Sequence, residues 1–474
     1  MSSTRVPDVL RALGAALALG FGSHALGACG GVTVDPSIDS SSTGSGTAVC
    51  PAGQTDCDGD GHCDALDTVE DCGVCGVSCS QNNAVASCQA GHCVLACDAG
   101  FADCNGDPSD GCEADLANDP NHCQACGHGC GRERDCFQAS CVSILGAAPA
   151  AFVGADALVV SGSDLYWSTP GVDAKGEIAR VPLSGGVVTP VVDGLGWPER
   201  LHTSGGWLVW SDIVSPGIYR RDLKGGAVVV VWEPSSGETP HVLDVDADVI
   251  YFTTGSDVRS IPTTGGVPVL LASGFTHVSA GHLQGGVLYA SDLGPEIEQM
   301  SNGLLVLGNP EGTIRRVALP SGASEIVAAH LDTPVALTTS ATTLYWTEAG
   351  SLHTYDDAGT SKNAGTLGRV MRASLDGTSP IVIADQQIQP VDVAVDDSHV
   401  YWAAAGTVGG KQPELVTYLS DGNVFRATLD GGPSEVVMPA IDARNLALTG
   451  DSVYFSSWAY GLVMSKQKPT SQAR

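Results

Sequence analysis

The sequence predicts an all-β fold, a seven-bladed β-propeller preceded by two small disulfide-rich modules, on three observations. An apolar-Tyr-aromatic element recurs along the second part of the chain, all 17 cysteines fall at or before Cys141, and helix-favouring residues are scarce. With 60 glycines and only 16 % charged residues, the 474-residue chain is poor in the Lys and Glu that sustain helices. Its 53 acidic against 22 basic side chains give a formal charge of −31, which repels nucleic acid and argues against it as a partner.

At the N-terminus, Arg5 and Arg11 flank or precede an apolar run from Ala12 to Phe21 and then small residues, the order of a secretory signal. The run is too short to span a bilayer comfortably. Leu26-Gly27-Ala28-Cys29 follows and resembles the bacterial lipobox. That resemblance implies that residues 1–28 are a lipoprotein signal peptide and that Cys29 carries acyl chains, making the membrane a partner through an N-terminal lipid anchor. Gly30 stands where Asp would hold a lipoprotein at the inner membrane, so the expected location is the cell envelope, at the outer membrane. Ordinary cleavage would instead give a secreted protein. Residues 29–49 are rich in Ser, Thr and Gly and predict a disordered tether.

The next segment holds two superposable sets of eight cysteines, at 50, 57, 63, 72, 75, 79, 88 and 93 and at 97, 104, 112, 123, 126, 130, 136 and 141. Each set opens with C-x-A-G-x-x-D-C and contains C-x-x-C-x-x-x-C, which defines module one as residues 50–93 and module two as 94–141. Eight thiols per module can all pair internally, as a body too small for a sufficient core requires in an oxidising compartment. Spacing leaves about 105 pairings open. Zinc is the alternative, with His62, His92, His122 or His128 as further ligands. The arrangement resembles cysteine-rich repeats that precede propellers in bacterial surface proteins, which implies a stalk.

Within module one, Asp56, Asp58, Asp60, Gly61, Asp64 and Asp67 occupy positions 1, 3, 5, 6, 9 and 12 of an EF-hand-like loop. Alternate carboxylates around a glycine turn suit calcium, so these five aspartates are candidate calcium ligands, although position 12 is Asp rather than Glu. No other cofactor is implied. The second module keeps Asp103, Asn105 and Asp107 but places Pro108 at the glycine position.

Residues 142–474 carry the repeat: Leu165-Tyr166-Trp167, Leu208-Val209-Trp210, Ile250-Tyr251-Phe252, Leu288-Tyr289-Ala290, Leu344-Tyr345-Trp346, Val400-Tyr401-Trp402 and Val453-Tyr454-Phe455. Spacings of about 40 to 56 residues match a four-strand blade. Leu344-Tyr345-Trp346-Thr347, followed by Val370-Met371-Arg372-Ala373-Ser374-Leu375-Asp376-Gly377, resembles the YWTD repeat of low-density lipoprotein receptor propellers. The motif's Asp is kept as Asp212 and Asp292, becomes Glu348 once and is absent elsewhere, and those receptor propellers have six blades. A six-bladed ring with one degenerate copy is therefore the alternative. The seventh copy lacks an apolar fourth strand after Ser465, and Val142 to Ala148 is placed to supply it.

Propellers bind ligands where inner strands meet the central channel, about nine or ten residues before each repeat Tyr. Those positions nominate Glu199, Arg200, His241, Asp392, Arg444 and Asn445, together with His277 one or two residues out of register, as a ligand-binding ring, with Asp156 at the matching place in the first copy. Insertions at 293–312, 347–368 and 403–422 add a wall beside it, with Tyr355, Asp356, Asp357, Lys411 and Tyr418 available to a polar partner. No G-x-S-x-G, H-E-x-x-H or Walker A sequence occurs, and no catalytic residue is nominated. The favoured function is a binding or structural module for a protein or glycan, and the alternative is a propeller lyase or hydrolase.

Overall fold

The structure, a computed structural model, describes residues 49–148, 154–171, 175–235, 237–295, 297–301, 304–350, 353–355, 367–406, 408–409, 417–418, 421–439 and 441–469. The signal segment, Cys29 and nearly all of the tether lie outside them. Two compact units are present, residues 1–65 and 66–474. In the first, Gln54–Thr55 pairs with Asp64–Ala65 and Cys50 is bonded to Cys63.

All sixteen module cysteines are disulfide-bonded, which sets zinc aside. Module two pairs its cysteines first to third, second to fifth, fourth to seventh and sixth to eighth, as Cys97–Cys112, Cys104–Cys126, Cys123–Cys136 and Cys130–Cys141. Cys50–Cys63, Cys72–Cys88 and Cys79–Cys93 repeat that scheme in module one. The duplicated spacing thus encodes a duplicated connectivity.

The propeller has seven antiparallel blades. Their inner strands are Leu158–Ser161, Pro198–Ser204, Pro240–Asp246, Val278–Gln284, Pro334–Thr339, Pro390–Val395 and Ala443–Leu448, and neighbours touch all the way round the circle. Each repeat element lies on a second strand that is buried over five consecutive residues, because neighbouring blades cover both of its faces. Trp167, Trp210, Trp346, Trp402, Phe252 and Phe455 are fully buried there. One core cluster joins Tyr166 and Ile178 of blade one to Leu201, Leu208 and Trp210 of blade two, so a blade completes its core only against the next.

The carboxylates kept at the end of the repeat motif tie each blade to the preceding connection. Buried Asp212 accepts the N–H groups of Gly196, Trp197, Val214 and Ser215, and Asp292 accepts those of Thr276, His277 and Gly294. Glu348 does the same for Asp332 and also receives Trp346 Nε1 and Arg369 Nη2.

Blade seven is completed from before blade one. Ser140–Ala147 pairs with Leu462–Gln467 in the register Leu462 opposite Ala147 and Ser465 opposite Ser143, which closes the ring and rules out the six-bladed alternative. The same strand pairs on its other side with Asp135–Phe137 of module two. Module two is therefore continuous with the seventh sheet. Phe137 stands edge-on to Tyr460 at 5.0 Å between centroids, and Gln467 donates its N–H to Glu133 Oε1 at 2.7 Å.

Insertions after the second strands of blades four and five meet as one sheet, Ile297–Ser301, Leu304–Gly308 and His353–Tyr355, with Leu305 opposite Tyr355. In blade six, Val408–Gly409 pairs with Thr417–Tyr418. Asp356, Asp357 and Lys411 lie outside the described residues.

Candidate functional site

A β-bulge lies near the start of the inner strands of blades two to seven and breaks the simple alternation of their side chains. One residue into each strand stand Glu199, His241, Ser279 and Arg444, opposite the ends of the second strands and so on the face that carries the insertions. Glu199 Oε1 and His241 Nδ1 are in direct contact across blades two and three, with Ser211 Oγ at 3.5 Å from the same oxygen.

Arg200 sits on the bulge of blade two with φ +56°, a left-handed conformation that a non-glycine residue adopts only where its surroundings hold it. Its Nη2 donates to the Ser279 carbonyl in blade four, and its charge acts on Asp156, His202 and Asp392.

Burial pushes the Asp392 carboxyl up to about 6, against the opposing effect of N–H groups from Leu446, at 2.7 Å, and Val393 and of the Arg200 charge. Burial also raises Asp156, which Trp197 Nε1 counters by donating at 3.0 Å. Asn445 Nδ2 donates to the Asp156 carbonyl at 2.6 Å, linking blade seven to the approach to blade one. Arg444 pairs with Asp442 at 3.3 Å, whose burial lifts its carboxyl to about 6.

His277 does not join this group. It precedes the inner strand of blade four, is exposed, and uses its backbone to bind Asp292, while Ser279 takes the ring position. Ten residues before Tyr289 stands Ser279, matching Glu199, His241 and Arg444 relative to their own repeat residues, whereas His277 lies twelve before it.

Deeper along the same three blades lies a constellation that the sequence reading missed. Asp244 stands between His202 Nδ1 at 3.7 Å and His282 Nδ1 at 3.8 Å, and its carboxylate is held by the N–H groups of Val245 and Leu283 at 2.7 Å each. Burial lowers both histidines, opposed by Asp244, so they are biased toward neutral imidazoles. Such groups can accept a proton or hydrogen-bond a hydroxyl. A signal was available: His202, Asp244 and His282 each lie seven residues before the repeat Tyr or its equivalent.

Of the candidate calcium ligands, Asp56, Asp58 and Asp64 bring carboxylate oxygens within 4.8 Å of one another. Asp60 is not in that group, and Asp67 belongs to the second unit, where its backbone bridges to Cys72. The loop is flanked by two short paired strands and closed by the Cys50–Cys63 bond. Asp56 caps the N–H groups of Gly59 and Gly61, Asp58 that of Asp60, and Asp64 that of Cys57, so turn formation accounts for these side chains.

No family model and no curated protein matches the chain. Among solved structures it is similar to a nidogen/laminin complex at 17 % identity, over 58 % of this chain and 93 % of that one, TM-score 0.39. It is also similar to virginiamycin B lyase from Staphylococcus aureus at 13 % identity, over 67 % and 95 %, TM-score 0.44. A puromycin-hydrolyzing peptidase from Mycobacterium tuberculosis matches at 14 % identity, over 69 % and 54 %, TM-score 0.45. Likeness at this level says nothing about ligand or chemistry.

Proposed function

We propose that the chain is a lipid-anchored protein of the bacterial cell envelope whose propeller binds a polar protein segment or glycan at the channel mouth of blades two to four. The observation that carries this reading is the convergence of Glu199, His241 and Arg200 from adjacent blades above the His202, Asp244 and His282 group. Donors and acceptors at two depths suit a ligand with many hydroxyl or amide groups. The joined insertions of blades four and five stand on the same face, where loops vary without disturbing the core. Module two, continuous with blade seven, supports the ring as a stalk.

A glycan array probed with the purified full chain tests the reading. Wild-type protein is expected to retain a defined glycan subset that a Glu199→Gln, His241→Ala variant loses. The neutral imidazoles beside Asp244 support a second reading, lyase or hydrolase chemistry. Conversion of the captured glycan would establish it, and intact recovery favours binding.

A further inference from the structure

A cavity of about 410 Å³ lies where module two meets the propeller, away from the channel mouth. Its walls come from four parts of the second unit. Arg132, Glu133 and Arg134 belong to module two, Ser143 and Leu145 to the closing strand, and the rest to the Leu183–Ser184 turn of blade one and to blade seven. Thr449 and Asp451 line it just beyond the far end of the inner strand that starts at Ala443, so it opens opposite the face that holds Arg444 and Glu199. The Cys130–Cys141 bond pins the arginine-bearing segment to the closing strand.

We propose that this cleft binds an acidic sugar, a ring polyol bearing a carboxylate. The two acids in the wall are already engaged: Glu133 accepts the Gln467 N–H at 2.7 Å, and Asp451 accepts the Thr449 and Ser452 hydroxyls at 3.2 Å each. The two guanidinium groups are not. Arg132 has no hydrogen-bond or ionic partner among the described residues, and Arg134 makes one long contact, 3.5 Å, to the Ser184 carbonyl. In a chain of net charge −31, two adjacent uncommitted arginines at a cavity favour a carboxylate, which guanidinium binds in a two-pronged fork.

The remaining wall fits the ring. Tyr454 is 4 % exposed and lines the cleft, and its hydroxyl has no protein partner among the described residues, which leaves a donor and acceptor available to a ligand. The hydroxyls of Ser143 and Ser465 are likewise unpartnered. Leu145, Leu183 and the Tyr454 ring supply an apolar surface for the C–H face of a sugar. The volume falls in the range of about 300–1,000 Å³ usual for small-ligand sites.

The test is calorimetric titration of glucuronate into the full chain, with glucose and acetate as comparators. Saturable binding of glucuronate, at least about tenfold tighter than of either comparator, is expected. Arg132→Ala with Arg134→Ala, both exposed positions where folding is not at stake, should weaken it by about tenfold or more, and Tyr454→Phe by several-fold. The Glu199→Gln, His241→Ala variant should bind as wild type. No saturable heat, unchanged affinity in the double arginine variant, or acetate binding as tightly as glucuronate overturns the proposal. Loss in the channel variant alone moves the sugar to the other face and also overturns it.

Discussion

Leu145 provides a sharp test of ring closure. It is carried by the strand that completes blade seven, is 4 % exposed, and packs among Leu165, Trp167, Ala179 and Val181 of blade one and Tyr454 and Val463 of blade seven. Leu→Ala in a core costs about 2–5 kcal/mol, the spread reflecting the cavity left behind. Leu145 also borders the polar cleft, where water can enter the vacated space, so the lower half of that range applies, about 2–3 kcal/mol. Unfolding residues 142–474 at roughly 2.1 cal/mol/K per residue gives an entropy of about 0.7 kcal/mol/K, and the substitution should lower Tm by about 3–4 °C. Calorimetry with disulfides intact measures both quantities. Val187→Ala, at an 82 % exposed site, is the control and should change stability by less than about 0.5 kcal/mol. If Leu145→Ala behaves like Val187→Ala, the strand does not close the ring.

Three further outcomes follow. Asp392, with its carboxyl pushed up to about 6, keeps its proton in the folded state between about pH 4 and 6 after the unfolded chain has lost it; stability should therefore fall as pH rises through that window, and Asp392→Asn should flatten the Tm profile there, an unchanged slope refuting the assignment. Replacing Cys130 and Cys141 by serine should cost about 2–4 kcal/mol and raise hydrogen exchange in the Arg132–Arg134 segment, while unchanged exchange would mean that the strand pairing alone holds it. Cys29→Ala should move the protein from the detergent phase to the aqueous phase, and unchanged partitioning would remove the proposed lipid anchor.

The seven-bladed fold was legible because blade-on-blade packing imposes the same demand at every repeat. Trp167, Trp210, Trp346 and Trp402 fill equivalent buried places, and the missing edge after Ser465 called for a strand from the N-terminal side. Glu199 and His241 were legible from their distance to the repeat aromatic, since they stand one residue into their strands. His277 lies two residues outside the spacing of ten that Glu199, His241 and Ser279 share, and His202, Asp244 and His282 lie at a spacing of seven, directly opposite the repeat residue on the neighbouring strand. A bulge falls at or between the two positions in each of these strands, so simple two-residue alternation does not carry from the residue ten back to the residue seven back. The docking of module two on blade seven had no sequence signal, because Phe137 meets Tyr460 and Glu133 meets Gln467 across more than three hundred residues of chain.

The most direct measurement of the central claim compares wild type, the Glu199→Gln, His241→Ala variant and the Arg132→Ala, Arg134→Ala variant on one glycan array. A binding propeller that works at its channel mouth predicts a wild-type pattern whose main signals vanish in the channel variant and persist in the arginine variant, with the glycans recovered intact. Identical patterns for wild type and the channel variant would contradict it.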